Sequence, residues 1–340
     1  MVSTCSYIDR TGKAVIDASR YENAADFSDG LAAVKVPYEG WGFIDKTGSL
    51  VIPPRFESFL SFKEGLAAVV LEDKWGFINK TGTLVIDNQF DWVESFSEGV
   101  AVVQRSSRPK RPAVLLGTPI TTKVVEVWDL THNSDDDRST NDAEFLLIDT
   151  AGQILANLAQ MKLEVNIDDA RFSEGLLCVY DPDKEANGYI DKSFEFVIQP
   201  KFAQAGSFSE GLARVAVMEN DEEKLAFIDK KGKFVIPPKF NTDFDFQRNS
   251  SDFSEGLAAV SENLNPTLMD EETFVYIDNE GKIVLVTEFF YAGEFHDGLA
   301  TVYNAQTNRW GFIDKTGKVA IPVKYESAND FSEGLALVRS

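Results

Sequence analysis

The sequence has few of the residues that build metal centres, redox sites and disulfide frameworks. Its 340 residues include two cysteines and two histidines. Cys5 and Cys178 lie in apolar runs typical of strands, and two cysteines cannot form a disulfide framework. His132 and His296 lie in polar stretches, so no zinc ligand set is expected. Phosphate-cradle and nucleophile-elbow motifs are missing too, and no cofactor is expected.

Positive charge and long apolar runs are also scarce. Lys and Arg total 33 against 55 Asp and Glu, which gives a formal net charge of −22. A field of that sign repels phosphate backbones, so nucleic acid is not expected as a partner. No apolar run reaches the ~18 residues that cross a bilayer, and the first residues do not resemble a secretory signal. We therefore expect no membrane association and a cytoplasmic location.

What the sequence has in abundance is repetition. The phrase Phe-Ser-Glu-Gly or a close variant precedes a short apolar run eight times, at Gly30, Gly65, Gly99, Gly175, Gly211, Gly256, Gly298 and Gly334. A second phrase, most complete as Trp-Gly-Phe-Ile-Asp-Lys-Thr-Gly, alternates with it around Ile8, Ile44, Ile78, Ile148, Ile190, Ile228, Ile277 and Ile313. A third, best seen as Val-Ile-Pro-Pro, follows the second. Repeats with a period of about 35 residues are typical of solenoids and propellers.

This pattern resembles the WG-repeat family, also called the KWG repeat, a mostly bacterial group of β-rich repeat proteins. The resemblance covers essentially the whole chain, although the Trp-Gly pair itself stands only at Trp41-Gly42, Trp75-Gly76 and Trp310-Gly311. The family implies an interaction scaffold. It implies no reaction and no catalytic residues.

The repeat predicts an all-β protein of eight antiparallel units, each with three or four strands. We expect one domain over residues 1–340, most simply a closed β-propeller-like toroid in which one blade combines strands from both chain ends. In that arrangement the Gly-Leu-Ala-Ala-Val strand would lie innermost, and the third strand would end at Ile-Pro-Pro. The alternative is an open β-solenoid of stacked sheets.

The Phe-Ser-Glu-Gly phrase itself has two interpretations. In the structural one, Phe enters the core, Glu and Gly form a turn with a left-handed Gly, and the Glu also accepts backbone N–H groups at the contact between repeats. In the functional one, eight carboxylates form a ring that lines a pore or binds cations. We favour the first, because a residue repeated once per unit normally serves the unit. Phe194 replaces the Gly of the Asp-Lys-Thr-Gly turn, which predicts a different or strained turn there.

The positions where the units differ are the better candidates for binding. Connections between the first and second phrases are longer in units four to seven: 104–143, 180–188, 218–226 and 261–274. All occupy one topological position, so we expect them on one face. The insertion 104–143 is predicted to be a protruding hairpin or loop that serves as a docking arm, with candidate binding residues Arg105, Arg108, Lys110, Arg111 and Trp128.

Function is predicted from these loops. The main hypothesis is a non-enzymatic interaction scaffold that binds a protein or peptide through the loops of units four to seven and the 104–143 insertion. One alternative is a carbohydrate- or calcium-binding repeat protein, for which the weak metal candidate is Asp181, Asp183, Glu185 and Asn187. Another is a carboxylate-based glycosidase or lyase on a propeller scaffold, although we expect no enzyme.

Overall fold

Eight small antiparallel sheets are arranged in a ring, and each is one blade of a β-propeller. The computed structural model describes residues 5–106, 143–167, 169–219, 222–241, 251–262 and 273–340. The strands alternate with short turns because each repeat supplies runs rich in Val, Ile and Phe between turn-forming Asp and Gly residues. The predicted all-β, eight-unit fold is therefore confirmed.

We number the blades from the one that contains both chain ends. The strands are, in blade 1, β1 Cys5–Asp9, β2 Ala14–Asp17, β28 Ser327–Ala328 and β29 Leu335–Arg339; in blade 2, β3 Asn23–Ala24, β4 Leu31–Val36, β5 Gly40–Asp45 and β6 Leu50–Phe56; in blade 3, β7 Leu66–Leu71, β8 Lys74–Asn79 and β9 Leu84–Phe90; in blade 4, β10 Trp92–Val93, β11 Val100–Ser106, β12 Ala143–Asp149 and β13 Ile154–Asn157.

The second half of the ring continues the pattern. Its strands are, in blade 5, β14 Leu176–Asp181, β15 Ala186–Asp191 and β16 Phe196–Phe202; in blade 6, β17 Gln204–Ala205, β18 Ala213–Glu219, β19 Glu222–Ile228 and β20 Phe234–Asn241; in blade 7, β21 Ala258–Glu262, β22 Thr273–Ile277 and β23 Ile283–Val286; in blade 8, β24 Tyr291–His296, β25 Leu299–Asn304, β26 Arg309–Asp314 and β27 Val319–Tyr325.

The ring closes in blade 1, where the last strand of the chain pairs with the first. Five consecutive residue pairs join β1 and β29, from Cys5 opposite Arg339 to Asp9 opposite Leu335. The sheet order is β2-β1-β29-β28, so each end of the chain contributes two of the four strands. The closed toroid is thus confirmed, and the open solenoid is wrong.

Two faces follow from the antiparallel order of each blade. We call "turn face" the side that carries the Glu-Gly turns and the Asp-Lys-Thr-Gly turns. We call "loop face" the opposite side, where the second strand of a full blade turns into the third. The outermost strands expose aliphatic side chains such as Val51, which is 44% exposed, while the second and third strands are buried between neighbouring blades.

Two expectations about strand order need correction. The Gly-Leu-Ala-Ala-Val strand is not innermost, because the segment that returns from the preceding blade pairs on its axial side, for instance β3 beside β4. The third phrase does not end its strand at Ile-Pro-Pro, because β6 continues through Pro53 and Pro54 to Phe56. This strand is the free edge of the blade, and proline is tolerated there since its missing N–H removes no ladder hydrogen bond.

The same edge strand explains the Gly of the Trp-Gly pair. The register between β5 and β6 shifts between Trp41 and Phe43, which brings the edge strand over Gly42. A Cβ at Gly42 would lie 2.7 Å from the carbonyl oxygen of Ile52 and 2.8 Å from the nitrogen of Pro54. Where the edge strand is short and stops before this bulge, as in blades 1, 4 and 7, larger residues stand at the equivalent position: Ser6, Leu146 and Val275.

At Phe194 we expected either a different turn or a strained one. The structure shows the ordinary turn with a strained residue in it. Its φ is 64°, in the left-handed region, and its N–H donates to the carbonyl oxygen of Asp191 at 2.9 Å. In the other blades the turn glycine faces an Ile or Leu of the preceding edge strand, as Gly82 faces Ile52. In the edge strand of blade 4, which precedes the turn of Phe194, this position is occupied by Ala156. Ala156 and Phe194 pack against the same core cluster. The large ring fills the volume that the small residue leaves.

Candidate functional site

The Glu-Gly turns of the eight repeats are two-residue hairpins, each between the axial segment of a blade and the strand that follows it. In blade 2, Ser28 and Leu31 exchange both backbone hydrogen bonds, at 2.9 and 3.1 Å. Asp29 and Gly30 between them have φ of 53° and 82°, the mirror-image turn that matches strand twist. An acidic residue in the left-handed region is unfavourable, so its recurrence in all eight turns points to a compensating interaction.

That interaction is a hydrogen bond to the next blade. In every repeat the turn carboxylate accepts the N–H of the turn glycine of the following repeat, as Glu333 does from Gly30 across the chain ends. The donor–acceptor distances run from 2.7 to 3.2 Å, and the accepting residues are Asp29, Glu64, Glu98, Glu174, Glu210, Glu255, Asp297 and Glu333. The structural interpretation of the phrase is therefore confirmed, because the carboxylates are used to hold the ring together.

Lysines of the Asp-Lys-Thr-Gly turns reinforce several of these bonds. Lys230 lies 2.8 Å from the carboxylate of Glu174, which also accepts the N–H of Gly211 at 2.9 Å. Partial burial opposes ionisation of this carboxyl group, but the bonds from Lys230 and Gly211 outweigh it and hold the pKa of Glu174 below its usual value.

Replacing this carboxylate by a neutral group of the same length should weaken the contact between blades. We expect Glu174→Gln to lower the free energy of unfolding by about 1 kcal/mol, the difference between a charge-assisted and a neutral hydrogen bond. Urea denaturation at pH 7 measures it. Glu195→Gln, on an exposed side chain of the same blade, is the matched control and should change nothing. Equal stability of the two variants would contradict the role given to Glu174.

A network of ionisable side chains lies near the axis. Arg171 of blade 5 approaches Asp252 of blade 7 to 4.0 Å, and only near the axis can side chains from the two blades that flank blade 6 come so close. Arg171 also binds Asp169 at 3.0 Å, and Asp169 accepts both the N–H and the hydroxyl of Ser207. The Nε of Arg214 donates to Asp252 at 2.8 Å.

The network continues through blades 7, 8, 1 and 2. The backbone N–H of Asp252 donates to Glu294 at 3.1 Å, and Nε2 of His296 lies 3.4 Å from the other oxygen of Glu294. In the next link, the hydroxyl of Thr301 donates to Asp330 at 2.6 Å. In the last one, the amide of Asn329 donates to both oxygens of Asp26 at 3.0 Å.

Burial shifts the ionisation of this axial network. It raises the pKa of Asp252, an effect that Arg214 opposes and that Asp169 and Glu294 add to. Burial likewise raises the pKa of Asp26, Asp330 and Glu94. The pKa of His296 is raised by its hydrogen bond with Glu294, against the effect of burial.

These directions predict a fold that is more stable in mild acid than in mild base. A raised pKa means that the folded state holds a proton that the unfolded state releases, so stability falls as pH rises through the folded-state pKa. For His296 this loss lies above its usual pKa of about 6.5. We therefore expect the Tm to fall between pH 6 and 8, and to fall less in His296→Gln. His132→Gln, the other histidine of the sequence, is the control. An unchanged pH slope in His296→Gln would contradict this prediction.

Chemically, the network is largely satisfied from within, since five of its acids accept a hydrogen bond from a neighbouring blade: Asp26, Asp169, Asp252, Glu294 and Asp330. The network is not among the features expected from the sequence. The signal was the residue before each repeat's Phe, which varies between charged and neutral: Asp26, Ser61, Ser95, Arg171, Ser207, Asp252, Glu294 and Asp330. A charge directly before a buried Phe marks a side chain that points away from the core, here toward the axis.

The loop face carries the connections that vary. Their last paired residues are, from blade 2 to blade 8, Val36 and Gly40, Leu71 and Lys74, Ser106 and Ala143, Asp181 and Ala186, Glu219 and Glu222, Glu262 and Thr273, and Asn304 and Arg309. The expected common face is therefore found. In blade 6 the predicted loop 218–226 is mostly strand, because β18 and β19 extend toward each other and leave only residues 220 and 221 between them.

Arg105 is the one candidate docking residue that the structure describes. It lies in β11 opposite Glu144, while Arg108, Lys110, Arg111 and Trp128 fall outside the described residues, so their role stays a prediction. Arg105 lines a polar cleft of 370 Å³ between blades 3 and 4, together with Glu72, Lys74, Asn88, Gln89, Asp91 and Ser106. One wall of the cleft is fixed, since Asp91 pairs with Lys74 and accepts the N–H of Ser106 at 2.6 Å.

The weak metal candidate forms the tip of the blade 5 hairpin. Asp181 pairs with Lys184 at 3.2 Å and Asp183 with Lys162 at 3.7 Å, while the amide of Asn187 donates to the carbonyl oxygen of Ala203 at 2.9 Å. Within the described ranges, no group of three or more His, Cys, Asp or Glu side chains is arranged to hold a metal ion. In the same ranges, no helix is long and apolar enough to cross a membrane.

Comparison with known families agrees with the repeat. The family model described as "WG containing repeat" matches residues 6–36, 41–75, 75–106, 188–217, 226–263, 276–304 and 310–340, which is more than half of the chain. Residues 107–187, which include the last two strands of blade 4 and the first strand of blade 5, lie between matches. Among curated protein sequences, none matches this chain.

Solved structures of similar shape are propellers of low sequence identity. BamB from Moraxella catarrhalis aligns with a TM-score of 0.51 at 10% identity, over 93% of this chain and 95% of that one. The complex of KlAtg21 with the coiled-coil of AgAtg16 gives 0.47 at 11%, over 92% and 100%. The WD40 β-propeller domain of Doa1 gives 0.29 at 10%, over 94% and 93%. At 10% identity, the similarity to BamB supports the propeller fold and carries no information on function.

Proposed function

The chain belongs to the family of WG-containing repeat proteins, and we propose that it is a non-enzymatic interaction scaffold that binds a protein or peptide through the loop face. One observation carries the proposal. The two longest connections, residues 107–142 of blade 4 and 263–272 of blade 7, belong to the same face as the connection 182–185 of blade 5 between them, which concentrates sequence variation on one sector of the ring.

The contrast between the two faces supports this choice of surface. On the turn face, the recurring carboxylates accept hydrogen bonds from the neighbouring blade, and Lys46, Lys192, Lys230 and Lys315 pair with them. Side chains committed to the ring cannot bind a partner without weakening the ring. Within the described parts of the loop-face hairpins, no such carboxylate contact repeats, so their side chains vary at little cost to stability.

The insertion 107–142 can be removed with a defined repair. Ser106 and Ala143 face each other in an antiparallel ladder, so an Asn-Gly pair in place of 107–142 closes a two-residue hairpin. We expect this shortened chain to fold. In a capture experiment with a photo-cross-linker on the loop face, it should recover at least tenfold less partner than the full chain carrying the same cross-linker.

The matched control replaces Glu72 and Asp73, the tip of the blade 3 hairpin, by Asn-Gly. Both residues already have φ above 50°, so the exchange changes the side chains and keeps the turn. We expect the control to recover the partner as the full chain does. The proposal would be refuted by one pair of results. The shortened chain would recover as much partner as the full chain, and so would a chain in which Asn-Gly replaces the tip of the blade 5 hairpin, residues 182–185.

A further inference from the structure

One position on the loop face departs from the repeat without a structural reason. The segment that returns from the preceding edge strand donates a backbone N–H to the end of the second strand, for example from Glu57 to Val70 at 3.1 Å. This donor is acidic in blades 1 to 5 and is Ala203 in blade 6. In blade 8 the same N–H belongs to Phe290, which donates to Tyr303 at 3.1 Å. Phe290 is 64% exposed, so the change from acid to phenylalanine adds nothing to the core.

Phe290 stands at the outer end of a series of aromatic rings. Its ring centroid lies 6.4 Å from that of Tyr303, which lies 5.1 Å from Trp310. Trp310 lies 5.6 Å from Tyr291, and Tyr291 lies 5.6 Å from the buried Phe274. We call these five residues the aromatic ladder. Edge-to-face pairs of this kind hold the rings in place, so the exposed ring is positioned before any partner arrives.

The polar groups around the aromatic ladder keep it rigid. The hydroxyl of Tyr303 donates to Oδ1 of Asn308 at 2.7 Å, and Arg309 donates to the carbonyl oxygen of Asn308 at 2.9 Å. Lys324 on the same blade lies over the ring of Tyr325, 5.1 Å from its centroid. These two cations are therefore engaged elsewhere and do not cover Phe290.

The charge near Phe290 favours a cationic partner. Glu288, two residues before it, is exposed, and the chain carries a net charge of −22. Aromatic faces attract ammonium and guanidinium groups, and a neighbouring carboxylate strengthens that attraction. A rigid exposed aromatic ring is also the usual centre of a protein–protein hot spot.

We propose that the aromatic ladder is a docking site for a basic peptide segment, in which an apolar side chain packs on Phe290 and an adjacent Arg or Lys lies over the ring and beside Glu288. The inference rests on the proposed function, since it names the chemistry of a partner on the loop face. It adds a site in blade 8, outside the sector of blades 4 to 7.

Three short synthetic peptides test the chemistry directly. They alternate Leu with Arg, Leu with Gln and Leu with Glu, and their Kd for the full chain is measured by fluorescence anisotropy at low and physiological salt. We expect the Leu–Arg peptide to bind most tightly, the Leu–Gln peptide more weakly, and the Leu–Glu peptide not at all. Equal binding of the Leu–Glu peptide would overturn the proposal.

Variants separate the site from the general attraction of an acidic protein for a basic peptide. F290S should raise the Kd of the Leu–Arg peptide about tenfold or more, as truncation of a hot-spot aromatic does, and F290Y should keep it. The matched control, V51S, removes an apolar side chain of similar exposure on the edge of blade 2 and should leave the Kd unchanged. An unchanged Kd in F290S, or an equal loss in V51S, would refute the site.

The shortened chain distinguishes this inference from the proposed function. If it binds the Leu–Arg peptide normally and loses its partner, both the insertion and the aromatic ladder act as proposed, at separate places. If F290S leaves peptide binding unchanged while the shortened chain loses its partner, the aromatic ladder is refuted and the scaffold proposal stands.

Discussion

A chain that ends at Asp330 is expected to lose cooperative folding. The deletion removes β29, the strand that pairs with β1, and with it the buried side chains of Phe331, Leu337 and Val338. Burial of three such side chains contributes roughly 5–8 kcal/mol, a large part of the 5–15 kcal/mol by which a typical domain is stable. Urea denaturation followed by circular dichroism measures the loss.

Two controls separate ring closure from the loss of a tail. Deletion of Ser340 alone should leave stability unchanged, because β29 ends at Arg339. A circular permutant joins residue 340 to Cys5 by a short linker and has its new chain ends between Ser106 and Ala143. It should fold like the original chain, because every strand pair of the ring is kept. A truncated chain as stable as the full one would contradict closure through β29.

The second large effect is expected at the Gly of the Trp-Gly pair. Gly42→Val would place a Cβ against the carbonyl of Ile52 and the nitrogen of Pro54, both backbone atoms within 2.8 Å. Blade 6 accommodates the single Cβ of Ala226 at the equivalent position beside a full edge strand. The two further methyl groups of Val would add to the clash, so we expect a loss of about 2–4 kcal/mol in the free energy of unfolding. Ser6→Val is the matched control in blade 1, whose edge strand is short.

For that control we expect a change within about 0.5 kcal/mol, as is usual where no strain is introduced. Blade 7 already has Val275 at the equivalent position, and it is buried without disturbing the strand pairs. If Gly42→Val and Ser6→Val lost the same stability, the bulged edge strand would not explain the glycine.

The repeat made much of the fold predictable from the sequence. Because Ile8 and its seven counterparts recur at fixed positions beside turn residues, they identify the strand next to the edge strand in every blade. The closed ring followed from the ends of the chain, since the first strand lacks its inner neighbour and the last lacks its outer one. The Glu-Gly turn was also interpreted correctly, because a carboxylate and a glycine repeated once per unit must serve the unit.

Other features depend on contacts that a single repeat does not contain. Arg171 meets Asp252 across an intervening blade, and no local pattern encodes that distance. Phe194 is compatible with its turn only because Ala156 is small, so the substitution is explained by a residue in the preceding blade. The fourth strand of a unit was expected, but its axial position was missed, because only two residues pair there, too few for a periodic pattern.

The division between the two faces links the fold to the proposed function. The turn face is constrained by bonds such as that from Gly211 to Glu174, which repeat around the ring and resist change. Among the described residues, the bond that repeats on the loop face is between backbone groups and no carboxylate bond recurs in every blade, so its side chains vary from blade to blade. Binding surfaces evolve more readily where substitution costs little stability.

Cross-linking of exposed lysines to the bound partner tests this division most directly. Lys162 and Lys184 lie on the loop face in blade 5, with side chains 78% and 48% exposed, and Lys231 and Lys282 are exposed on the turn face in blades 6 and 7. We predict cross-links from Lys162 and Lys184 and none from Lys231 or Lys282. Cross-links confined to Lys231 and Lys282 would contradict the assignment of binding to the loop face.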